Sequence, residues 1–173
     1  MYACALAWWR DDLARARADL EECTQLIESG ATEVVYGEVL ELLARVNAEA
    51  GDLSGGLRAL RRSYSDAVAR VYRSSIASNL FYLTEMLGLA EIELETVAIL
   101  HGSVARGPLH AMFPTIAGPE AARNERAIGN ARAALGTERF NELSAIGASM
   151  NEDECIEFAT SVLDRLVDET AGE

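Results

Sequence analysis

The chain has 173 residues, 50% of them hydrophobic, and its 28 acidic and 15 basic residues give a net charge of −13. This apolar content is enough for a core and excludes a disordered tail, and the negative charge argues against a nucleic-acid-binding surface, which needs a basic stripe. All the basic residues are arginine, which excludes a Walker phosphate loop, a Schiff-base lysine and a kinase-type lysine.

The cysteine pattern and the first residues bear on the cellular compartment. Cys4, Cys23 and Cys155 form neither an even framework nor a CxxC pair, which is typical of proteins in a reducing cytoplasm. The opening stretch MYACALAWW lacks a basic start and is too short for a signal peptide or a membrane span. We therefore expect a cytoplasmic protein that does not bind a membrane.

Apolar residues at three- and four-residue steps predict five helices in the first two thirds of the chain. The first covers residues 11–29 behind Asp11 or Asp12 as the N-cap. The next two cover 33–51 and 52–71, the second of them capped by Asp52. Residues 74–91 and 93–106 predict a further pair, split around Gly88.

Residues 107–119 contain all three prolines and predict a loop. Three helices are predicted after it. The first covers 120–136, behind Pro119 in the first turn. The second covers 137–147 with Thr137 as its cap. The third covers 151–169, where Asn151 and Glu154 have the spacing of a capping box. Because no segment has the pattern of a strand hairpin, the sequence predicts an all-α protein.

Two segments, DDLARARADLEEC and GDLSGGLRALRRS, align with each other. Each has a small residue, a leucine four residues later and a second small residue three beyond that, at Ala16, Leu20 and Cys23 and at Gly56, Leu60 and Ser63. Small residues are needed where two helices cross closely, and a leucine fills the space between them.

This pattern resembles the second helix of a tetratricopeptide-type unit. Leu40, Leu43 and Ala44 match the large-large-small positions of the preceding helix. The spacing from Ala16 to Gly56 is 40, longer than the roughly 34 residues of a regular repeat, so we expect an irregular array. A third unit from Val97 to Val104 is degenerate, because Val97 stands where a smaller residue is usual.

The C-terminal half has a second resemblance. The stretches LHGSVARGPLHAMFPTIAGPE and ARAALGTERFNELSAIGASMNEDECIEFA are similar to the end of the repeat region in large actinobacterial regulators. Those regulators are LuxR-like and adenylate-cyclase-linked proteins with a signal-transduction ATPase module. The matching positions are Ala131, Arg132, Leu135, Gly136, Phe140, Gly147, Met150, Asp153 and Glu154, with Asn151 in place of the usual Ser or Thr.

The two resemblances together imply an irregular tetratricopeptide-like stack of antiparallel helix pairs with a C-terminal cluster of short helices. We expect one continuous domain, with repeats over 1–106, a loop over 107–119 and capping helices over 120–173. The ATPase and DNA-binding segments of the regulators have no counterpart in this sequence, so neither activity is assigned to any residue here.

The implied function is a non-catalytic sensor or protein-interaction module of a bacterial transcriptional or signalling regulator. The expected partner is a protein, or the ATPase and output domains of the same polypeptide, with a small-molecule effector as a further ligand and no cofactor. Transferring the concave groove of tetratricopeptide arrays to this chain assigns the following residues to it: Glu38, Glu41, Arg45, Asn79, Tyr82 and Met86.

Two alternatives remain open. In the first, the chain is a homodimerising structural module, with the adjacent Trp8 and Trp9 at the interface. In the second, it is a small all-α enzyme using scattered carboxylates near the loop at 107–119. His101 and His110 are expected to be a packing residue and a loop residue rather than metal ligands, and the acidic run at 151–154 a helix start rather than a calcium loop.

Overall fold

The computed structural model describes residues 12–30, 36–110 and 119–171, and these residues form eight helices and no strand. The prediction of an all-α protein is thus confirmed for this part of the chain. In chain order the helices are α1 (Leu13–Glu28), α2 (Tyr36–Glu49), α3 (Leu53–Ala69), α4 (Arg73–Leu89), α5 (Leu94–Arg106), α6 (Pro119–Leu135), α7 (Thr137–Ser149) and α8 (Glu152–Ala171).

The chain divides into two compact units. Among the described residues, those up to 69 and those from 163 to 171 form the first unit, which includes α1, α2 and α3. The described residues from 70 to 162 form the second unit, which includes α4 to α7. Helix α8 begins in the second unit and ends in the first.

Side-chain caps begin three of the helices, as the sequence predicts. Asp12 accepts a hydrogen bond from the Arg15 N–H at the start of α1, at 3.2 Å. Before α8, the Glu154 N–H donates to Asn151 at 3.0 Å and the Asn151 N–H donates to Glu154 at 2.8 Å. This reciprocal pair is a capping box, which satisfies two N–H groups that have no partner within the helix. Asp52 caps α3 in the same way as Asp12 caps α1.

Two predicted helix boundaries are wrong. Thr137 is the first residue of α7 rather than its cap; the cap is Gly136, whose φ of 79° suits a glycine in the single-residue link from α6. Gly88 does not separate two helices, because α4 continues through it to Leu89. A Cβ at Gly88 would lie 2.7 Å from the Ala127 carbonyl oxygen, so this glycine allows α6 to approach α4 closely.

In the first unit, α2 packs against both α1 and α3. Its core contains the side chains of Leu20, Leu40 and Leu60, each fully buried. The Ser63 hydroxyl on α3 donates to the Gly37 carbonyl on α2 at 3.2 Å. Helices α2 and α3 are joined only by the short link 50–52 and therefore form a helical hairpin.

In the second unit, α4 and α5 are joined by residues 90–93 and form another hairpin. Helix α6 packs against α4, and α7 packs against α5. The α5–α7 contact is close on both sides: a Cβ on Gly102 would collide with the Ser144 carbonyl, and a Cβ on Gly147 with the Ile99 carbonyl. Two glycines thus set the distance between these helices.

Equivalent positions recur along the chain at a spacing of 40 residues, the spacing that separates Ala16 from Gly56. We call this spacing the repeat interval. Asp12 and Asp52 are one interval apart, and they cap α1 and α3. After α2 the Asp52 N–H donates to the Asn47 carbonyl at 2.9 Å, and after α4 the Ile92 N–H donates to the Leu87 carbonyl at 3.1 Å. The same interval relates four core residues, each at most 1% exposed: Leu20, Leu60, Leu100 and Phe140.

The repeat interval also sets the register of the third tetratricopeptide-type repeat, which the sequence places from Val97 to Val104. One interval after Gly56 stands Thr96, which is buried, rather than the neighbouring Val97 that the sequence assigns to the small position. Ser63 and Ser103 are related in the same way, and both are 1% exposed. With Thr96 and Ser103 flanking Leu100, the third repeat keeps the small or polar positions of the second repeat.

Candidate functional site

The six residues assigned from the sequence to a concave groove differ in their exposure. Glu38 is exposed and Tyr82 is half-buried. The other four side chains are at most 9% exposed; they are Glu41, Arg45, Asn79 and Met86. The first three of the six lie on α2 and the others on α4, so each set belongs to a different unit. A groove shared by the six residues stays a prediction.

The proposed dimer interface at Trp8 and Trp9 lies outside the described residues, and so do residues 111–118 of the predicted loop. His110, at the edge of the described part of that loop, is exposed. The homodimer therefore also stays a prediction.

A cavity of about 140 Å³ lies in the second unit, between helices α4, α5 and α6. We call it the His101 cavity. Its lining is apolar on one part and polar on another, and comprises Phe81 and Thr84 from α4, His101, Val104 and Ala105 from α5, and Asn124 from α6.

The polar groups of the His101 cavity differ in their hydrogen bonding. The Thr84 hydroxyl donates to the Leu80 carbonyl within its own helix at 2.8 Å, which leaves its oxygen lone pairs as acceptors. Among the described residues, neither the His101 imidazole nor the Asn124 amide makes a hydrogen bond. Both side chains are half-buried, so they retain donors and acceptors that a small molecule in the cavity could use.

Two arginines give the surroundings of His101 a positive potential. Arg106 donates to the Ser144 hydroxyl at 2.9 Å, and the Arg132 guanidinium lies 4.6 Å above the centre of the Phe140 ring, a cation–π contact. The same Phe140 ring is 5.6 Å from the His101 ring. Burial, with Arg132 and Arg106 adding to it, lowers the pKa of His101, so the imidazole is neutral at pH 7.

An ion pair joins α4 and α6, and its two residues are sequence neighbours of residues that line the cavity. The Arg123 Nε atom is 3.2 Å from a Glu85 carboxylate oxygen, with the Glu85 side chain 1% exposed and that of Arg123 17% exposed. Since Glu85 follows Thr84 and Arg123 precedes Asn124, this pair fixes α6 against α4 where both helices line the cavity. Removing one partner of such a buried pair is costly because it leaves the other charge buried.

Of the two cysteines in the described residues, Cys155 has the surroundings of a structural residue. Cys155 is 1% exposed, and burial raises the pKa of its thiol despite a hydrogen bond with Ser103 that lowers it. A thiol with a raised pKa is a poor nucleophile. Cys23 is half-buried. In the described parts of the chain, no group of three or more His, Cys, Asp or Glu residues could hold a metal ion.

The sequence did not single out the cavity, because its lining comes from three helices and no local motif contains it. The sequence predicts a packing role for His101, whose ring centre lies 5.6 Å from that of Phe140. In the sequence, Arg132 is only one of the positions that carry the resemblance of the C-terminal half.

None of the protein-family models, curated proteins or solved structures compared with this chain matches it. Among the helices described, none is both long and apolar enough to cross a membrane.

Proposed function

We propose that this chain is a non-catalytic helical-repeat scaffold, the sensor or protein-interaction module of a bacterial transcriptional or signalling regulator. The observation that carries the proposal is the repeat interval, which relates caps, turns and buried leucines in successive helix pairs. Stacked repeats of this kind create extended surfaces, and such surfaces commonly bind partners.

The details of the repeat favour a tetratricopeptide-like stack. Leu40, Leu43 and Ala44 are buried on the first helix of a pair, and Gly56, Leu60 and Ser63 on the second. These are the large-large-small and small-large-small positions of that repeat type. The similarity of residues 131–154 to the C-terminal tail of actinobacterial LuxR-like and adenylate-cyclase-linked ATPase regulators supports the regulatory role.

The proposed mechanism is a change of packing. A protein partner, or the ATPase and output domains of the same polypeptide, would contact the array, and binding would favour one arrangement of its helices over another. Helix contacts set by glycines, such as those at Gly102 and Gly147, suit this role because they have little room to adjust continuously.

The regulatory role can be tested in the native cell by deleting the coding segment of this chain. We expect the deletion to change the transcript levels of a limited set of genes and the intact segment to restore them. E38Q removes an exposed charge from the predicted groove, and E49Q removes an exposed charge from the end of the same helix. We expect E38Q to reproduce part of the deletion effect and E49Q to leave transcripts unchanged.

Unchanged transcripts in the deletion strain, under conditions in which the segment is expressed, would contradict a regulatory role. An E49Q effect equal to that of E38Q would contradict the assignment of the groove.

A further inference from the structure

We propose that the His101 cavity binds a small monocarboxylate with a compact apolar body, such as an aromatic or branched-chain acid. The proposal concerns ligand binding by the second unit, so it holds or fails independently of the regulatory role proposed above. Its basis is a cavity with apolar walls, two polar side chains with open hydrogen-bonding capacity and two adjacent arginines.

The size of the cavity limits the ligand. A volume of about 140 Å³ is well below the roughly 300–1,000 Å³ of pockets for drug-sized molecules. It is close to the roughly 150 Å³ of an engineered apolar cavity that holds benzene. Phe81 and Val104 provide apolar walls for a group of that size.

The polar part of the lining selects the other end of the ligand. The imidazole of His101 and the amide of Asn124 both offer N–H donors and have no hydrogen-bond partner among the described residues. A carboxylate can accept both bonds, and a carboxylate held by several N–H groups is more strongly bound than a neutral acceptor.

The adjacent charges favour an anion over a neutral molecule. Arg106 and Arg132 both act on His101 electrostatically. Within the described parts of the chain, their contacts with Ser144 and the Phe140 ring use only part of the five N–H donors of each guanidinium. The chain as a whole carries a net charge of −13. At physiological salt, however, charges more than about 8 Å apart are largely screened, so the nearest residues decide the local potential.

Benzoate is a suitable probe, because its ring matches the cavity and its carboxylate matches the polar end. Titration of the full chain can be followed by NMR through the Val104 methyl groups and the His101 ring protons. We expect saturable binding with a dissociation constant on the order of 1 mM or tighter. Benzamide has the same shape without the charge, and we expect it to bind about tenfold more weakly.

Three variants locate the binding. R132A removes one of the two charges, and we expect it to weaken benzoate binding about tenfold. R126A removes an exposed arginine from the same helix and should leave binding unchanged. A105L places a larger side chain at a half-buried position of the lining and should abolish binding while the melting temperature shows that the chain still folds.

Four results would overturn the proposal: no saturable binding of benzoate, equal binding of benzamide, an equal loss in R126A and R132A, or unchanged binding in A105L. Inorganic phosphate that displaces benzoate with comparable affinity would also overturn it, since a surface anion site would then account for the binding. None of these readouts depends on a partner or on gene regulation, so failure here leaves the proposed function untouched.

Discussion

At the scale of single residues, Glu91 has a backbone conformation that favours glycine. Its φ is 57°, in the left-handed region, and Gly51, one repeat interval earlier in the equivalent turn, has a φ of 87°. Both turns close with the same type of hydrogen bond, from the Asp52 N–H to Asn47 and from the Ile92 N–H to Leu87. This bond is part of the motif that commonly ends a helix with a glycine.

The equivalence of these turns predicts opposite effects of two substitutions. We expect E91G to stabilise the chain by about 1 kcal/mol, because a residue with a Cβ is strained by roughly that amount in the left-handed region. G51A should destabilise it by a similar amount. Urea unfolding measures both, with E91A as the control that removes the carboxylate but keeps the Cβ. Equal stability of E91G and E91A would contradict this explanation.

His101 predicts a dependence of stability on pH. Burial, Arg132 and Arg106 lower its pKa in the folded chain, so as the pH falls through about 6.5, the unfolded state takes up a proton before the folded state does. This group therefore costs no stability above that pH and reduces stability below it. Between pH 7.5 and 5.5, wild type should lose more unfolding free energy than H101N. An equal loss in the two proteins would show that His101 makes no such contribution.

At the scale of helices, the α5–α7 contact depends on Gly102 and Gly147. A methyl group on either would collide with a backbone carbonyl of the other helix. Because backbone cannot move aside as a flexible side chain can, the two helices would have to separate.

This contact predicts that G102A destabilises the chain by about 1–3 kcal/mol, the range for overpacked sites. Gly129 offers a matched control, since it lies inside α6 with open space around the position of its Cβ. G129A should stabilise the chain by about 0.5–1 kcal/mol, because alanine favours a helix more than glycine does. Thermal unfolding of both variants checks the pair, and a stabilising effect of G102A would refute the close crossing.

Local features of the helices can be predicted from the sequence better than their packing can. The caps at Asp12, Asp52 and Asn151 could be identified because cap and partner are close neighbours in the sequence. The sequence predicts a boundary at Gly88 because the residue that explains this glycine, Ala127, lies on another helix. The burial of Arg45 and Asn79 and the lining of the His101 cavity likewise depend on contacts between helices that no sequence pattern specifies.

At the scale of the whole molecule, we propose that the chain is built from repeats that are each one repeat interval long. The sequence shows this interval between Ala16 and Gly56, and the structure extends it to a turn and to core positions in later helices. In an array of this kind each repeat contacts mainly its neighbours through equivalent faces, so after removal of one complete interval the flanking repeats can pack against each other instead.

The most direct test is to compare two deletions by circular dichroism and urea unfolding. Deleting residues 53–92 removes one full interval, α3 and α4, and places α5 in register behind α2. Deleting residues 53–72 removes α3 alone. Each later helix then takes a place in the alternating array where the opposite chain direction is required. A repeat array predicts that the first variant stays helical and unfolds cooperatively, whereas the second does not. Loss of cooperative unfolding in both variants, or its retention in both, would contradict it.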